Sequence, residues 1–146
     1  MRKTKRCKKI SDIFTDYDYA HQIKSQLERE IEFNRKKSLI KTTNNDSIKS
    51  TKVLKTDDLY NNFMSKNDKH FQKISQCQLY IDKVDLALEF LKDRNERVFD
   101  VVYQRYIQHD TVKDIIQTNK IGKSTYWLWM GKAEEILNDV LFVDET

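Results

Sequence analysis

The chain has 146 residues, about one domain's worth, with no proline, two glycines (Gly122 and Gly131) and a formal net charge of +4. So few turn residues exclude a fold of short strands and tight turns and favour long helices, so the expected fold class is all-α. No apolar run is long enough to cross a membrane, and the basic N-terminus has no apolar segment behind it, so neither a membrane span nor a secretory signal is expected.

Residues 1–11 read as a mobile basic arm. The stretch MRKTKRCKK holds six Lys/Arg and no acid, which suits either a solubilising tail or contact with phosphates. Residues 12–37 read as a helix, because Ala20, Ile23, Leu27 and Ile31 recur at three- and four-residue steps and fall on one face. Asp16 or Asp18 is the expected cap of its start. Residues 38–56, rich in Ser, Thr, Asn and Lys, read as a flexible linker.

Residues 57–146 read as a helical domain. Its first part, 57–92, predicts one long helix or two abutting ones, with a seam of Phe63, Ile74, Cys77, Ile81, Val84, Leu88 and Leu91. Asn67 and His70 fill polar gaps in that seam. Asp82, Asp85 and Glu89 read as the solvated face of the same helix rather than as a carboxylate cluster with chemistry. Asp93 followed by Glu96 resembles a capping box, and a helix with Val98, Val102, Tyr103 and Tyr106 inward is expected to follow, ending at His109-Asp110.

The remaining segment, 111–141, has the rhythm of a helix-turn-helix. Thr111 with Asp114 marks a helix start, VKDIIQTN is a short helix with Ile115 and Ile116 inward, and Lys120-Ile121-Gly122 is the turn. Ile121 is the apolar plug, and Gly122 permits a tight backbone. In the next helix Tyr126, Trp129, Met130, Ala133, Ile136, Leu137 and Val140 form one apolar stripe. The opposite face carries Lys123, Ser124, Trp127 and Leu128, with Lys132 further on. A second helix with an exposed N-terminal face is the element that such motifs place in the major groove. The candidate DNA-binding residues are Lys120, Gly122, Lys123, Ser124, Thr125, Trp127, Leu128 and Lys132.

Four stretches also carry a family resemblance: DYDYAHQIKSQLEREI, YIDKVDLALEFLKDRNERVFDVVYQRYI, TVKDIIQTNKIGKSTYWL and GKAEEILNDVL. In order and spacing they resemble the RinA/ArpU-like phage late transcriptional activators, whose C-terminal half is similar to region 4 of bacterial sigma factors. The resemblance covers most of the chain apart from the basic arm and the linker. Gly122 departs from it, standing where a turn Ser is usual. Trp127 and Leu128 stand where polar or basic readers are common. The resemblance implies an activator of phage or phage-related island late genes, acting in the bacterial host cytoplasm. Its implied partner is double-stranded DNA at a late promoter, with host RNA polymerase, a regulatory protein and a second copy of the chain as further candidates.

Two other readings fit the pattern. A DNA-packaging recognition subunit of the small-terminase type would use the long seam to build a ring. A protein-interaction module would use the acidic C-terminal half, where residues 79–146 carry 9 Lys/Arg against 13 Asp/Glu while residues 1–78 carry 18 against 10. An enzyme is not expected: there is no glycine-rich phosphate loop and no nucleophile with a paired base. Cys7 and Cys77 lie far apart and His21, His70 and His109 are scattered, so neither a metal site nor a cofactor is expected, and the thiols read as free in a reducing compartment.

Overall fold

A computed structural model describes residues 7–47, 61, 65 and 67–143. The fold is all-α: α1 spans Ile10–Ser47, α2 Asp68–Arg94, α3 Glu96–Tyr106, α4 Val112–Asn119 and α5 Lys123–Leu141, with no strand among the described residues. None of these helices is long and apolar enough to cross a membrane. The chain divides into two compact units, Met1–Tyr19 with Tyr80–Thr146 and Ala20–Leu79.

Several boundaries differ from the sequence expectation. The first helix begins at Ile10, where the amides of Asp12 and Ile13 both bond to the Lys9 carbonyl. Asp16 and Asp18 therefore lie inside it and cap nothing. It continues to Ser47, ten residues into the expected linker. Ser, Thr and Asn are only modest helix formers, but with no Gly or Pro in the stretch nothing forces a stop once the helix is propagating. The rest of that linker, 48–56, lies outside the described residues, as do Phe63 and the first six residues of the basic arm. α2 ends at Arg94, and the cap of α3 is Asn95 rather than Asp93: its side chain accepts from the Val98 amide at 3.3 Å. Tyr103 is exposed; Val101 takes the inward place instead, fully buried beside Val98 and Val102.

In the unit Ala20–Leu79, α1 buries Ala20 and half-buries Ile23, Leu27 and Ile31, while α2 buries Cys77 and half-buries Phe71 and Ile74. The polar gaps anticipated in the seam are used. Asn34 Nδ2 donates to Oδ1 of the fully buried Asn67 at 2.9 Å, and His70 Nε2 lies 3.2 Å from Glu30 Oε2. These pairs step in opposite directions along the two helices, which therefore run antiparallel.

The other unit holds the main core. Ile13 and Phe14 of α1, Val84, Ala87, Leu88 and Leu91 of α2, Val98, Val101 and Val102 of α3, Ile115 of α4, and Tyr126, Met130, Ala133 and Leu137 of α5 form one buried cluster. Phe14 stacks nearly parallel on Tyr106, with ring centroids 4.7 Å apart. The start of α1 thus belongs to the same core as the C-terminal helices, and the expected separation of an N-terminal helix from a 57–146 domain does not hold at residues 10–19.

The last residues of the arm are also tied down, contrary to the mobile tail expected there. The Lys8 amide donates to Asn138 Oδ1 at 2.7 Å, and Asn138 Nδ2 donates back to the Lys8 carbonyl at 2.8 Å. The Ile10 amide donates to Glu134 Oε1 at 2.7 Å, so a carboxylate from α5 satisfies an orphan donor at the start of α1. Lys8 Nζ pairs with Asp16. Replacing Asn138 by Ala removes both bonds to Lys8 and leaves its amide without that partner. The expected loss is about 1–3 kcal/mol of unfolding free energy, read from urea titration of the full chain.

Tyr80 donates its hydroxyl to the Ile13 carbonyl at 3.0 Å. Burial, with the Asp16 carboxylate adding to it, pushes its phenol up to about 12 from an ordinary 10.0. The folded state thus holds this proton longer than the unfolded chain does. The resulting stabilisation is complete below pH 10 and is lost as pH rises toward 12. Chemical denaturation across that window should show falling stability, with a shallower fall for Tyr80→Phe.

Candidate nucleic-acid interface

α4 and α5 form the helix-turn-helix, and local chemistry explains each boundary. Thr111 is extended and its hydroxyl accepts from the Asp114 amide at 3.2 Å, capping α4 as anticipated. Upstream, His109 adopts a positive φ of 61°, and Arg105 Nη1 donates to the Asp110 carbonyl, which closes the corner between α3 and α4. At the other end of α4, Asn119 Nδ2 donates to both Gln104 Oε1 and the Ile115 carbonyl at 2.8 Å.

The turn itself is a Schellman motif. Lys120 is left-handed (φ 54°, ψ 46°), its amide bonds to the Gln117 carbonyl, and the Ile121 amide bonds to the Ile116 carbonyl. Ile116 and Ile121, the two positions whose apolar contact accompanies such motifs, are both half-buried against the core. The strained position is therefore Lys120 and not Gly122. Gly122 has φ −82° and ψ 162°, an ordinary extended N-cap geometry that any residue adopts, and a Cβ there would meet nothing within 4 Å. The turn does not need glycine at that position, and without a side chain Gly122 makes no side-chain cap bond to α5. Since a left-handed lysine costs roughly 1 kcal/mol relative to glycine, Lys120→Gly should stabilise the fold by about that amount, measurable as a raised denaturation midpoint.

α5 buries Tyr126, Met130, Ala133, Leu137 and Leu141 along one side. Trp129 is half-buried beneath Arg97, whose guanidinium carbon lies 5.2 Å from the indole centroid. Burial raises the Tyr126 phenol above its ordinary value of 10.0, although the neighbouring Arg105 opposes the shift. The opposite side is solvent-facing. Of the eight candidate residues, Lys120, Gly122, Lys123, Ser124, Trp127, Leu128 and Lys132 are all exposed, whereas Thr125 is half-buried and turned off that face. Trp127 and Leu128 are 57% and 59% exposed, and Trp127 rests edge-on against Tyr126 with centroids 5.0 Å apart.

Sequence reasoning did not single out Gly131 as part of this face. It lies one turn beyond Trp127 and Leu128, is exposed, and has nothing within 4 Å of a built Cβ. Glycine inside a helix costs about 1 kcal/mol relative to alanine, so Gly131→Ala should raise thermal stability by about that amount with no steric penalty inside the protein. The signal available in the sequence was a glycine interrupting an otherwise strong helical stripe.

Charge on this segment differs from that of its surroundings. Residues 111–132 carry four lysines (113, 120, 123 and 132) against Asp114 alone. The first turn of α5 contains no acid. The acidic excess of residues 79–146 therefore falls outside the helix-turn-helix. Among the described residues no group of three or more His, Cys, Asp or Glu is placed to hold a metal ion. Cys7 is exposed and Cys77 buried, both as free thiols. No family model matches this chain, and no curated protein or solved structure matches it either.

Proposed function

We infer that the chain is a DNA-binding regulator that docks duplex DNA through α5, with Lys120, Lys123 and Lys132 toward phosphates and Ser124, Trp127 and Leu128 toward base edges. The observation that carries this reading is the exposed face of α5. It follows a short capped helix and a tight turn, and it is ringed by lysines inside a half-chain that is otherwise acidic. An α-helix fits the major groove, lysines compensate phosphate charge, and a helix N-terminus favours an anion. The resemblance to RinA/ArpU-like activators makes a phage late promoter the target of choice, with host RNA polymerase as the downstream partner.

Fluorescence anisotropy of the full chain tests this, using a late-operon promoter duplex and a shuffled duplex across a salt series. The expected result is a preference of about a thousandfold or more that persists as salt rises. Equal affinity for the two duplexes with a steep salt slope would refute sequence reading and leave non-specific attraction alone. Lys123→Ala should weaken binding uniformly across sequences and lower the salt slope by about one, as the loss of a phosphate contact. A loss of roughly 1–3 kcal/mol confined to the promoter duplex would instead assign its ammonium to a base.

One observation favours the protein-interaction reading. Leu86 and Phe90 of α2 and Ile136 and Val140 of α5 line an open apolar trough, with the carboxylates Glu89, Asp93 and Asp139 and the guanidinium of Arg94 also along it. Tight binding to polymerase with no affinity for any duplex would move the function to that surface.

A further inference from the structure

The exposed face of α5 has an unusual inventory for a helix that reads bases. The strongest base-edge readers are Arg or Lys to guanine and Asn or Gln to adenine, and of these the exposed face of α5 offers only lysine, at 123 and 132. No arginine follows Arg105 in the chain. The only asparagine of α5, Asn138, is buried and bonded to Lys8 and Glu134. Along the exposed face stand Ser124, Trp127, Leu128, Gly131, Lys132 and Glu135, consecutive neighbours at three- and four-residue spacing. Its largest member, Trp127, is apolar, and so is the adjoining Leu128. Helical side chains lean toward the N-terminus, so Trp127 and Leu128 cover the first turn of α5, where a docked helix meets the bases.

Apolar side chains can read one feature of the major groove, the C5-methyl group of thymine. We propose, building on the DNA-binding reading above, that Trp127 and Leu128 make α5 a reader of thymine methyl groups in the major groove. Gly131, with no Cβ, leaves the next turn free to approach the duplex. The lysines at 120, 123 and 132 give the first turns of the face the charge complementarity that a phosphate-lined groove requires; Asp114 is the only carboxylate from 111 to 132, and Glu135 closes the face at its C-terminal end. This pairing of an apolar centre with a cationic border selects DNA over an apolar protein groove as the occupant.

The test starts from a random duplex pool enriched with the 146-residue chain. The enriched duplex is then resynthesised with deoxyuridine in place of thymine, one position at a time. Uracil keeps every hydrogen-bonding edge of thymine and lacks only the methyl. Each contacted methyl that is removed should weaken binding roughly fourfold, the equivalent of about 0.8 kcal/mol per buried carbon. A variant carrying Trp127→Ser and Leu128→Ser, both at exposed positions, should fold normally and bind the thymine duplex more weakly. It should also bind the thymine and uracil duplexes equally. An enriched sequence whose affinity is indifferent to uracil would overturn methyl reading while leaving DNA recognition intact. Uracil sensitivity that survives in the double variant would overturn the assignment to Trp127 and Leu128. A pool from which no sequence enriches would overturn the DNA-binding reading and this inference with it.

Discussion

A helix can bury only one side and remain in contact with water, and α5 uses that side fully. Tyr126, Met130, Ala133, Leu137 and Leu141 are committed to a core shared with α1, α2, α3 and α4. Once that stripe is buried, the rotation of the helix about its axis is set. Lys123, Ser124, Trp127, Leu128 and Lys132 must then point outward, whatever they touch. Ala133, fully buried in mid-stripe, keeps the side-chain bulk at that level small. The proposed interface is in this sense a consequence of core packing.

The position of α5 along its axis is held at both ends. At its start, the left-handed Lys120 and the half-buried Ile116 and Ile121 fix the angle between α4 and α5. Toward its end, Glu134 and Asn138 bind the backbone of Ile10 and Lys8, so the helix is fastened to the beginning of the chain. The neutral Asn138–Lys8 bonds contribute about 1 kcal/mol each and the bond to the Glu134 carboxylate about 1.5–3 kcal/mol, while a buried amide with no partner is costly, and this makes the arrangement specific. The same contacts place the last residues of the basic arm against α5.

Electrostatics divides the chain more finely than its two halves suggest. Nine of the 13 acidic residues of the C-terminal half fall on α2, on α3 and in the second half of α5, and only Asp114 falls on α4, while the turn and the first turns of α5 are cationic. Net charge averaged over a domain hides such a distribution, and a ligand within a Debye length responds to the local one. On the proposed reading, an apolar centre bordered by lysines would differ from an arginine-rich surface in drawing discrimination from shape and methyl contacts and affinity from charge.

Helical periodicity is a local property, and for that reason much of this was legible in the sequence. The seam from Ile74 to Leu91, the Thr111 cap, the stripe from Tyr126 to Val140 and the exposed candidates on α5 all follow from three- and four-residue spacing within a single element. The features that were not legible depend on residues far apart in the chain. Asn138 meets Lys8 across 130 positions, Phe14 stacks on Tyr106, and Ile10, Ile13 and Phe14 join a buried core made otherwise of residues beyond 80. No spacing rule reaches that far. The conformational demand of the turn was likewise assigned to Gly122 because glycine tolerates it best, whereas the backbone path required by the packing of α4 and α5 places it on Lys120. The sequence alone therefore determined which face α2, α4 and α5 bury, since amphipathicity is written residue by residue, whereas α3 turns Val101 inward in place of the expected Tyr103. Only the tertiary structure decided which faces meet and where the chain is strained, because those depend on contacts between distant elements.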